Sequence, residues 1–208
     1  MSGWDMIMNT SKERPMIIGI SGKAGCGKTT LAELLVAAIG ENWQRMALGD
    51  AVKREAAEVF GFLLALAYSG EGKDTIVPVS HVVSGVETMT VRQILQYWGT
   101  DVRRAQDQGY WVKDLAAAIP DGKNVIVDDI RFASEVYFIH SLGGLVIRIN
   151  PYHGYQPPEL GGDHVSETEL DDFQDFDLTY SPPLGGLPRL AEKIATRLDL
   201  HCITSLET

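Results

Sequence analysis

The sequence predicts an α/β fold with a central parallel sheet flanked by helices. Short, continuously apolar runs at 16–20, 125–127 and 145–149 are typical of strands that are buried on both faces. Segments with apolar residues at helical spacing lie between these runs, and this alternation is the pattern of parallel α/β sheets. The chain has 208 residues, of which 45% are apolar, so we expect one domain with one main core.

The first half of the chain is predicted to be largely helical. After the strand at 16–20, residues 28–39 place leucines and an isoleucine on one helix face, and Gly40 is suited to end that helix. A second helical pattern covers 51–68 with a break near Gly61. The Ser- and Gly-rich residues 69–72 predict a flexible turn.

The second half alternates between regular elements and one long loop. Weak alternation over 77–86 indicates a hairpin, and helices are predicted from Thr90 and over 110–119. Segment 151–188 contains eight acids, six prolines and no Lys or Arg, which predicts mostly loop. An amphipathic helix is expected again at 189–200.

Charge and composition exclude several classes of function. The 18 basic and 28 acidic residues give a net charge of −10, so nucleic acid polymers and acidic membranes are not expected partners. The longest apolar run, 62–68, is far shorter than a membrane span. The first residues lack the pattern of a signal peptide, which predicts a cytoplasmic protein. Two cysteines are too few for a disulfide framework.

Residues 22–29 carry the strongest functional signal. They read Gly-Lys-Ala-Gly-Cys-Gly-Lys-Thr, which fits the phosphate-loop pattern G-x-x-x-x-G-K-[ST] between a buried strand and a helix. In such a loop, Lys28 reaches the β- and γ-phosphates of ATP, and the Thr29 hydroxyl binds Mg²⁺. The predicted ATP-binding residues are Gly22, Ala24, Gly25, Cys26, Gly27, Lys28, Thr29 and Thr30.

Two aspartates follow the apolar run at 125–127. Ligands of open α/β sheets bind at the carboxyl ends of the strands, so Asp128 or Asp129 is expected to hold Mg²⁺ or one of its water ligands. A solvated turn at the end of a strand is the alternative interpretation of these residues. The predicted metal-binding residues are Thr29, Asp128 and Asp129.

Basic residues are spread through the middle of this acidic chain. Transfer of a phosphoryl group to an anionic acceptor needs cations that hold the acceptor and stabilise charge. Solvated helix faces are the alternative explanation for the same residues. The set is Lys53, Arg54, Lys73, Arg92, Arg103, Arg104, Arg131 and Arg148.

Several separated segments together resemble the phage-type deoxynucleoside monophosphate kinases. The segments are the phosphate loop, 49–55, 73–74, 90–96 with 99–101, Trp111, 129–132 with Glu135, and 163–167. The resemblance implies a P-loop three-layer sandwich with an inserted helical region that binds the acceptor, at about 50–112, and a short lid, at about 150–170. All of these parts would belong to a single kinase domain over residues 1–208.

The resemblance also implies roles for individual residues. The acceptor nucleotide would be bound by Asp50, Lys53, Lys73, Arg92, Gln96, Arg104 and Arg131. The catalytic residues would be Lys28, Arg92, Arg131 and Asp129, with Asp129 favoured over Asp128 for the metal-linked carboxylate. Glu135 would orient Arg131. Since 151–188 has no cation, the lid would act by excluding water.

The implied activity is ATP- and Mg²⁺-dependent phosphorylation of a (deoxy)nucleoside 5′-monophosphate to the diphosphate. Two alternatives remain open at this point. One is another small-molecule P-loop kinase, of the dephospho-coenzyme A or phosphomevalonate type. The other is a nucleotide-dependent switch ATPase, since a fold alone does not fix a function. The expected partners are small nucleotides, and a homodimer is also left open.

Overall fold

The structure, a computed structural model, describes residues 15–156 and 165–204, and the chain folds into two compact units. The first unit contains the described residues up to Ala47 and those from Ala118 onward. The second unit contains Leu48–Ala117 and is inserted between two strands of the first.

In chain order, the strands are β1 (Ile17–Gly22), β2 (Trp43–Met46), β3 (Ile76–Pro78), β4 (Thr88–Thr90), β5 (Asn124–Ile130), β6 (Leu145–Ile149) and β7 (Leu178–Tyr180). The α-helices are α1 (Lys28–Ile39), α2 (Leu48–Phe60), α3 (Gly70–Lys73), α4 (Val91–Gln96), α5 (Tyr110–Ala118), α6 (Ala133–Ser141), α7 (Val165–Thr168) and α8 (Leu187–Thr204). A 3₁₀-helix covers Leu64–Tyr68 and a π-helix covers Tyr97–Arg104.

The first unit is built on a five-stranded parallel sheet with the order β2-β5-β1-β6-β7. Its central strand β1 is buried from Ile17 to Ser21, because the isoleucines that face α1 and α8 pack into one core with Leu31, Leu35 and Ile194. Helix α6 contacts β1 and β6. The predicted α/β fold with a parallel sheet flanked by helices is therefore confirmed.

The second unit has a core of its own. Alanines of α2 let it pack closely with α4, and Phe60 at the end of α2 is 1% exposed. Strands β3 and β4 form an antiparallel pair beside this core. The predicted start of a helix at Thr90 is confirmed: Thr90 and Gln93 form a reciprocal capping box at the first turn of α4.

Two local predictions for the second unit need correction. Residues 69–72 are not a flexible turn: they begin helix α3, because the Ser69 hydroxyl accepts a hydrogen bond from the Gly72 N–H at 2.9 Å. The hairpin lies further out than predicted, since Ile76–Pro78 pairs with Thr88–Thr90 and most of 77–86 connects the two strands.

Strands β2 and β7 have no counterpart among the predicted elements. Both lie at edges of the sheet, where a strand pairs on one side only and needs fewer apolar residues. The helical pattern at 51–68 does break at Gly61, which has φ 70°. The predicted lid at about 150–170 is described over 150–156 and 165–170, and its residues 157–164 lie outside the described part. Among the described helices, none has the length and apolar character that crossing a bilayer requires.

Candidate active site

The phosphate loop connects β1 to α1 and wraps around the Lys28 ammonium group. Lys28 Nζ donates hydrogen bonds of 2.8 Å to the carbonyl oxygens of Gly22 and Lys23. The Cys26 N–H donates to the Lys23 carbonyl at 3.2 Å and closes the turn. Lys28 is 9% exposed, so its charge sits inside the loop at the place where the motif predicts nucleotide phosphates.

Two glycines are required by the way this loop is packed. Gly27 has φ 95°, and a Cβ there would lie 2.5 Å from Leu187 Cδ1 at the start of α8. A Cβ on Gly22 would lie 2.6 Å from the carbonyl oxygen of Ile149 in β6. The loop is thus fixed between a helix and a strand of the first unit, and neither contact leaves room for a side chain.

Lys28 is surrounded by groups that act on its charge. Burial lowers the pKa of Lys28 below that of an ordinary lysine, and Arg131 lowers it further. The carboxylates of Asp129 and Asp128 oppose this shift. The structure therefore brings together four of the predicted site residues, and a bound anion would favour the charged form of the lysine.

Asp128 is almost completely buried at the end of β5. It is 2% exposed, and its Oδ2 accepts a hydrogen bond of 2.8 Å from Arg45 Nε. Its Oδ1 has no hydrogen-bond partner among the described residues. Asp129 is half-buried. A buried carboxylate oxygen without a partner is costly unless something else binds it.

A bulge determines how the two aspartates are presented. Gly19 of β1 is opposite Val127, whereas Ser21 is opposite Ile130, so β5 has one extra residue in this stretch. The extra residue falls at Asp128 and Asp129 and interrupts the regular alternation of faces. Bulges of this kind change the direction of side chains next to sites in many sheets.

These residues fit a magnesium ion that is held largely by nucleotide phosphates. Carboxylate and hydroxyl oxygens are the ligands that Mg²⁺ prefers, and Asp128 Oδ1 is a buried carboxylate oxygen without a hydrogen-bond partner among the described residues. The described residues contain no group of three or more His, Cys, Asp or Glu side chains that could hold a metal ion by themselves. Thr29, Asp128 and Asp129 stay the predicted metal-binding residues.

Arg131 is held at both its backbone and its side chain. Its N–H donates to Glu135 Oε2 at 2.8 Å, and the Phe132 N–H donates to the same oxygen at 3.1 Å. Its guanidinium pairs with Glu167, which follows the undescribed residues 157–164. Glu135 thus fixes the turn that carries Arg131, and Glu167 fixes the charged end.

The segment after β6 also reaches the phosphate loop. The Tyr155 hydroxyl donates a hydrogen bond to the carbonyl oxygen of Ala24. Burial raises the pKa of Tyr155, so this hydroxyl keeps its proton for donation. The first part of the predicted lid is therefore anchored to the predicted ATP-binding residues of the same unit.

In the second unit, the predicted acceptor residues Arg92, Asp50 and Lys53 form ion pairs. Arg92 donates to Asp74 Oδ1 through Nε at 3.2 Å and Nη2 at 3.0 Å. Lys53 Nζ lies 2.9 Å from Asp50 Oδ1 and 4.3 Å from the centre of the Tyr68 ring. Each cation is thus paired with a partly exposed carboxylate.

The other predicted acceptor residues lie at ends of helices in the second unit. Lys73 ends α3 and Gln96 ends α4. Arg104 ends the π-helix, where its Nη1 donates to the Gln108 carbonyl at 3.2 Å.

Arg103 has a structural role that its place among the basic residues of the sequence does not indicate. Its guanidinium lies between the rings of Trp98 and Tyr110, at 4.7 and 4.8 Å from their centres, and it pairs with Glu55. The π-helix brings Trp98 and Arg103, five positions apart, to the same side. Trp111 is a core residue, since it is 3% exposed and its Nε1 donates to the Gly99 carbonyl at 2.9 Å.

Arg45, the partner of Asp128, was also missed by the sequence analysis. It lies on the edge strand β2, which the hydrophobic pattern did not reveal. The signal that could have found it is its place three residues before the helix that begins at Leu48, in a short run with Trp43 and Met46.

Comparisons with known proteins point in one direction. The sequence model of a family described as deoxynucleotide monophosphate kinase matches residues 71–177. A protein of Acanthamoeba polyphaga mimivirus, provisionally named a deoxynucleotide monophosphate kinase, is 29% identical over 181 residues, which are 78% of this chain and 86% of that protein.

Two solved structures are similar to the chain at low identity. A mutant APS kinase of Mycobacterium tuberculosis is 16% identical and has a TM-score of 0.41, with 90% of this chain and 99% of that chain covered. A provisionally named kinase of Chloroflexus aurantiacus is also 16% identical and has a TM-score of 0.36, with 68% of this chain and 62% of that chain covered.

Proposed function

The chain belongs to the deoxynucleotide monophosphate kinase family, a family of phosphotransferases with nucleotide substrates, and on this premise we propose the reaction that it catalyses. The γ-phosphoryl group of ATP is transferred to a (deoxy)nucleoside 5′-monophosphate, giving ADP and the (deoxy)nucleoside diphosphate. The observation that carries the proposal is the phosphate loop closed around Lys28, in a chain that matches this family.

The donor ATP is bound by the loop of residues 22–30. Backbone N–H groups of the loop and the start of α1 bind phosphate oxygens, and the glycines leave room for them. The two carbonyl groups that now hold Lys28 Nζ keep the ammonium in the loop, from which it can turn to the β- and γ-phosphates. Thr29 and Thr30 complete the donor site at the first turn of α1.

The acceptor monophosphate is bound by cations of the second unit and by Arg131. Arg92 is the main candidate because a guanidinium can bind two phosphate oxygens and keeps its charge. Asp74 holds it ready through two hydrogen bonds to one oxygen. Asp50, Lys53, Lys73, Gln96 and Arg104 are the further residues proposed for the acceptor nucleotide.

The transfer needs no covalent intermediate with the protein. An oxygen of the acceptor phosphate attacks the γ-phosphorus, the bond from that phosphorus to the β–γ bridging oxygen breaks, and the electron pair stays on ADP. The acceptor is already an anion near neutral pH, so positioning and neutralisation of charge carry the catalysis. Lys28, Arg131 and Arg92 supply the positive charge.

Asp129 and Asp128, with Thr29, are the residues that would hold Mg²⁺ or its water ligands. The ion would neutralise the charge of the donor phosphates during the transfer. Asp128 brings a buried oxygen without another partner, and Asp129 lies beside it in the bulge of β5. Both carboxylates act on the pKa of Lys28, so both lie within electrostatic reach of the loop.

We also propose that the chain is a single kinase domain with a water-excluding lid after β6. Tyr155 anchors the beginning of that segment to Ala24. Small nucleotides remain the proposed partners, without nucleic acid polymers or membranes, and the proposed location is the cytoplasm. A homodimer stays a prediction that the oligomeric state in solution would test.

The first experiment measures ADP formation from ATP and Mg²⁺ with each common (deoxy)nucleoside monophosphate added singly. Stimulation by one or several is the expected result, and it would define the acceptor class. Lys28→Ala should lose about a hundredfold to a thousandfold in turnover, because it removes a charge aimed at the transferred group. Lys193→Ala, which changes an exposed lysine on α8, is the matched control.

The acceptor assignment is tested separately. Arg92→Ala should raise the KM for the monophosphate much more than the KM for ATP, whereas Arg54→Ala, at an exposed arginine of α2, should leave both unchanged. Activity that ignores every monophosphate would contradict the proposal. Unchanged kinetics in Arg92→Ala would remove that residue from the acceptor site.

A further inference from the structure

A small pocket of about 10 Å³, close to the space that one water molecule needs, lies beside the first glycine of the phosphate loop. Three cations line it: Lys23 from the loop, Arg131 after β5, and Arg148 from β6. Ser166 and Glu167 of α7 complete the polar part of its wall. Lys23 and Arg148 have no role in the reaction as it is described above.

Arg148 is the most buried of these three cations. Its side chain is 11% exposed, compared with 31% for Lys23 and 34% for Arg131. Its Nη1 donates to the Ser21 hydroxyl at 3.0 Å, and the neutral Ser21 cannot balance its charge. Asp171, the carboxylate within ion-pair distance, lies 3.9 Å away and is 40% exposed. A buried guanidinium is costly unless an anion compensates it.

Acids from one short segment reach all three cations. Asp171 pairs with Lys23 and approaches Arg148, while Glu167 pairs with Arg131. Lys23 Nζ also donates to the Glu167 carbonyl oxygen at 2.8 Å. Glu167 thus lines the pocket next to the loop where phosphate oxygens are expected, and Asp171 contacts two of the cations in its wall.

We propose that Lys23 and Arg148 are phosphate-binding residues and that they form one anion pocket with Arg131. Glu167 and Asp171 hold these cations until a nucleotide phosphate replaces the two carboxylates. The inference rests on the proposed function for the identity of the anion. It also accounts for the acidic segment 151–188, which has no Lys or Arg: the positive charge comes from the loop and the sheet.

The replacement of carboxylates by phosphate follows from their exposure. The Asp171 carboxylate is 40% exposed, so water stabilises it when it separates from Lys23 and Arg148. A phosphate group offers more oxygens and more negative charge to Arg148 and Lys23 than one carboxylate does. The exchange therefore favours the nucleotide, and the acids lower its apparent affinity by competing for the same cations.

The test measures the affinity of the full chain for inorganic tripolyphosphate by titration calorimetry. Arg148→Met should weaken binding about tenfold, the effect of one charge-assisted contact. Arg197→Met, which removes an equal charge from the exposed face of α8, is the control and should change binding less than twofold. Thermal unfolding of each variant shows whether it is folded at the assay temperature.

A second pair of variants keeps the test decisive if Arg148→Met does not fold. Asp171→Asn should tighten tripolyphosphate binding several-fold, because it removes the competing anion from Lys23 and Arg148. Asp172→Asn removes the same charge from the exposed neighbouring residue and should have a smaller effect. The proposal is overturned if Asp171→Asn binds no more tightly than Asp172→Asn, or if a folded Arg148→Met binds as the wild type does.

This binding assay is independent of turnover. If no monophosphate stimulates turnover but the tripolyphosphate affinities change as expected, the anion pocket is supported and the kinase proposal fails. If monophosphates do stimulate turnover but the tripolyphosphate affinities of both variants match their controls, the kinase proposal stands and the anion pocket is wrong.

Discussion

Substitution of Asp128 by asparagine separates two roles of a single buried carboxylate. Its Oδ2 accepts the hydrogen bond from Arg45 Nε at 2.8 Å, and its Oδ1 has no partner among the residues that the structure describes. Asn keeps the size and one oxygen but removes the negative charge. The Arg45 contact should affect the free energy of unfolding, and the partnerless oxygen should affect the dependence on Mg²⁺.

The size of the stability effect follows from the exposure of the two partners. Removing one member of a fully buried ion pair costs about 3–5 kcal/mol, because the other charge stays buried and alone. The Arg45 side chain is 34% exposed and the Asp128 side chain only 1%. Asp128→Asn leaves a charge that water can reach, so we expect a loss of about 1–2 kcal/mol. Arg45→Met leaves the buried carboxylate and should cost about 3 kcal/mol.

The assay combines urea unfolding with a titration of turnover against Mg²⁺. Asp128→Asn should need about tenfold more Mg²⁺ for half-maximal activity, and Arg45→Met should be less stable than Asp128→Asn. The double variant should lose less stability than the sum of the single losses, since the interaction is removed only once. Asp129→Asn should reduce turnover without the stability loss that the Arg45 contact causes.

Two results would refute this reasoning. Unfolding midpoints equal to wild type in both Arg45→Met and Asp128→Asn would mean that the buried pair does not stabilise the fold. A wild-type Mg²⁺ dependence in Asp128→Asn, together with a lost dependence in Asp129→Asn, would assign the metal role to Asp129 alone.

Two further predictions concern Lys28 and Trp111. Because burial lowers the pKa of Lys28, this lysine loses its charge at a lower pH than an ordinary lysine does, and the affinity for ATP should fall in the alkaline range. Calorimetric titrations at increasing pH would measure this fall. An affinity that stays level up to the pKa of a free lysine would contradict the prediction. Trp111→Phe removes the donor to the buried Gly99 carbonyl, so urea unfolding should show a free energy of unfolding that is lower by about 1–3 kcal/mol. The KM for the acceptor should stay within about twofold of the wild-type value. A raised KM without a loss of stability would make Trp111 a binding residue.

The parallel sheet and the phosphate loop were predictable because their signals are local. Strand β6 has the bounds that its apolar run predicts, and α1 has the bounds that its helical spacing predicts. A strand buried on both faces needs a continuous apolar run, and the shortness of these runs and the glycines beside them favour a strand over a buried helix. The motif at 22–29 can then be interpreted from its neighbours in the sequence, a buried strand before it and a helix after it.

The partners of the predicted charges could not be found in the same way. Arg45 and Asp128 are separated by 83 positions, and Arg131 and Glu167 by 36. Spacing along the chain carries no signal for contacts of this kind, since they depend on which strands are neighbours. The bulge of β5 is similar: the two aspartates are visible in the sequence, but the extra residue appears only when β5 pairs with β1.

In the second unit, the hydrophobic pattern does not determine the role of Trp98. Trp98 lies on an apolar helix face in the sequence, where either base stacking or core packing could explain it. In the structure, its ring meets Phe60 edge to face at 5.7 Å and covers the Arg103 guanidinium at 4.7 Å. The π-helix produces this arrangement, and no pattern of period 3.6 predicts a turn of that kind.

The acids beside the phosphate loop have a physical consequence for a site built from cations. Lys23, Arg131 and Arg148 line one pocket, and like charges at such short range repel each other unless anions lie between them. Glu167 and Asp171 provide those anions in the chain without nucleotide. The cations can therefore stay in place before the substrate arrives, and catalysis by fixed charges is effective because it needs little reorganisation during the reaction. The cost is a weaker apparent affinity for nucleotide, which Asp171→Asn would remove and thereby measure.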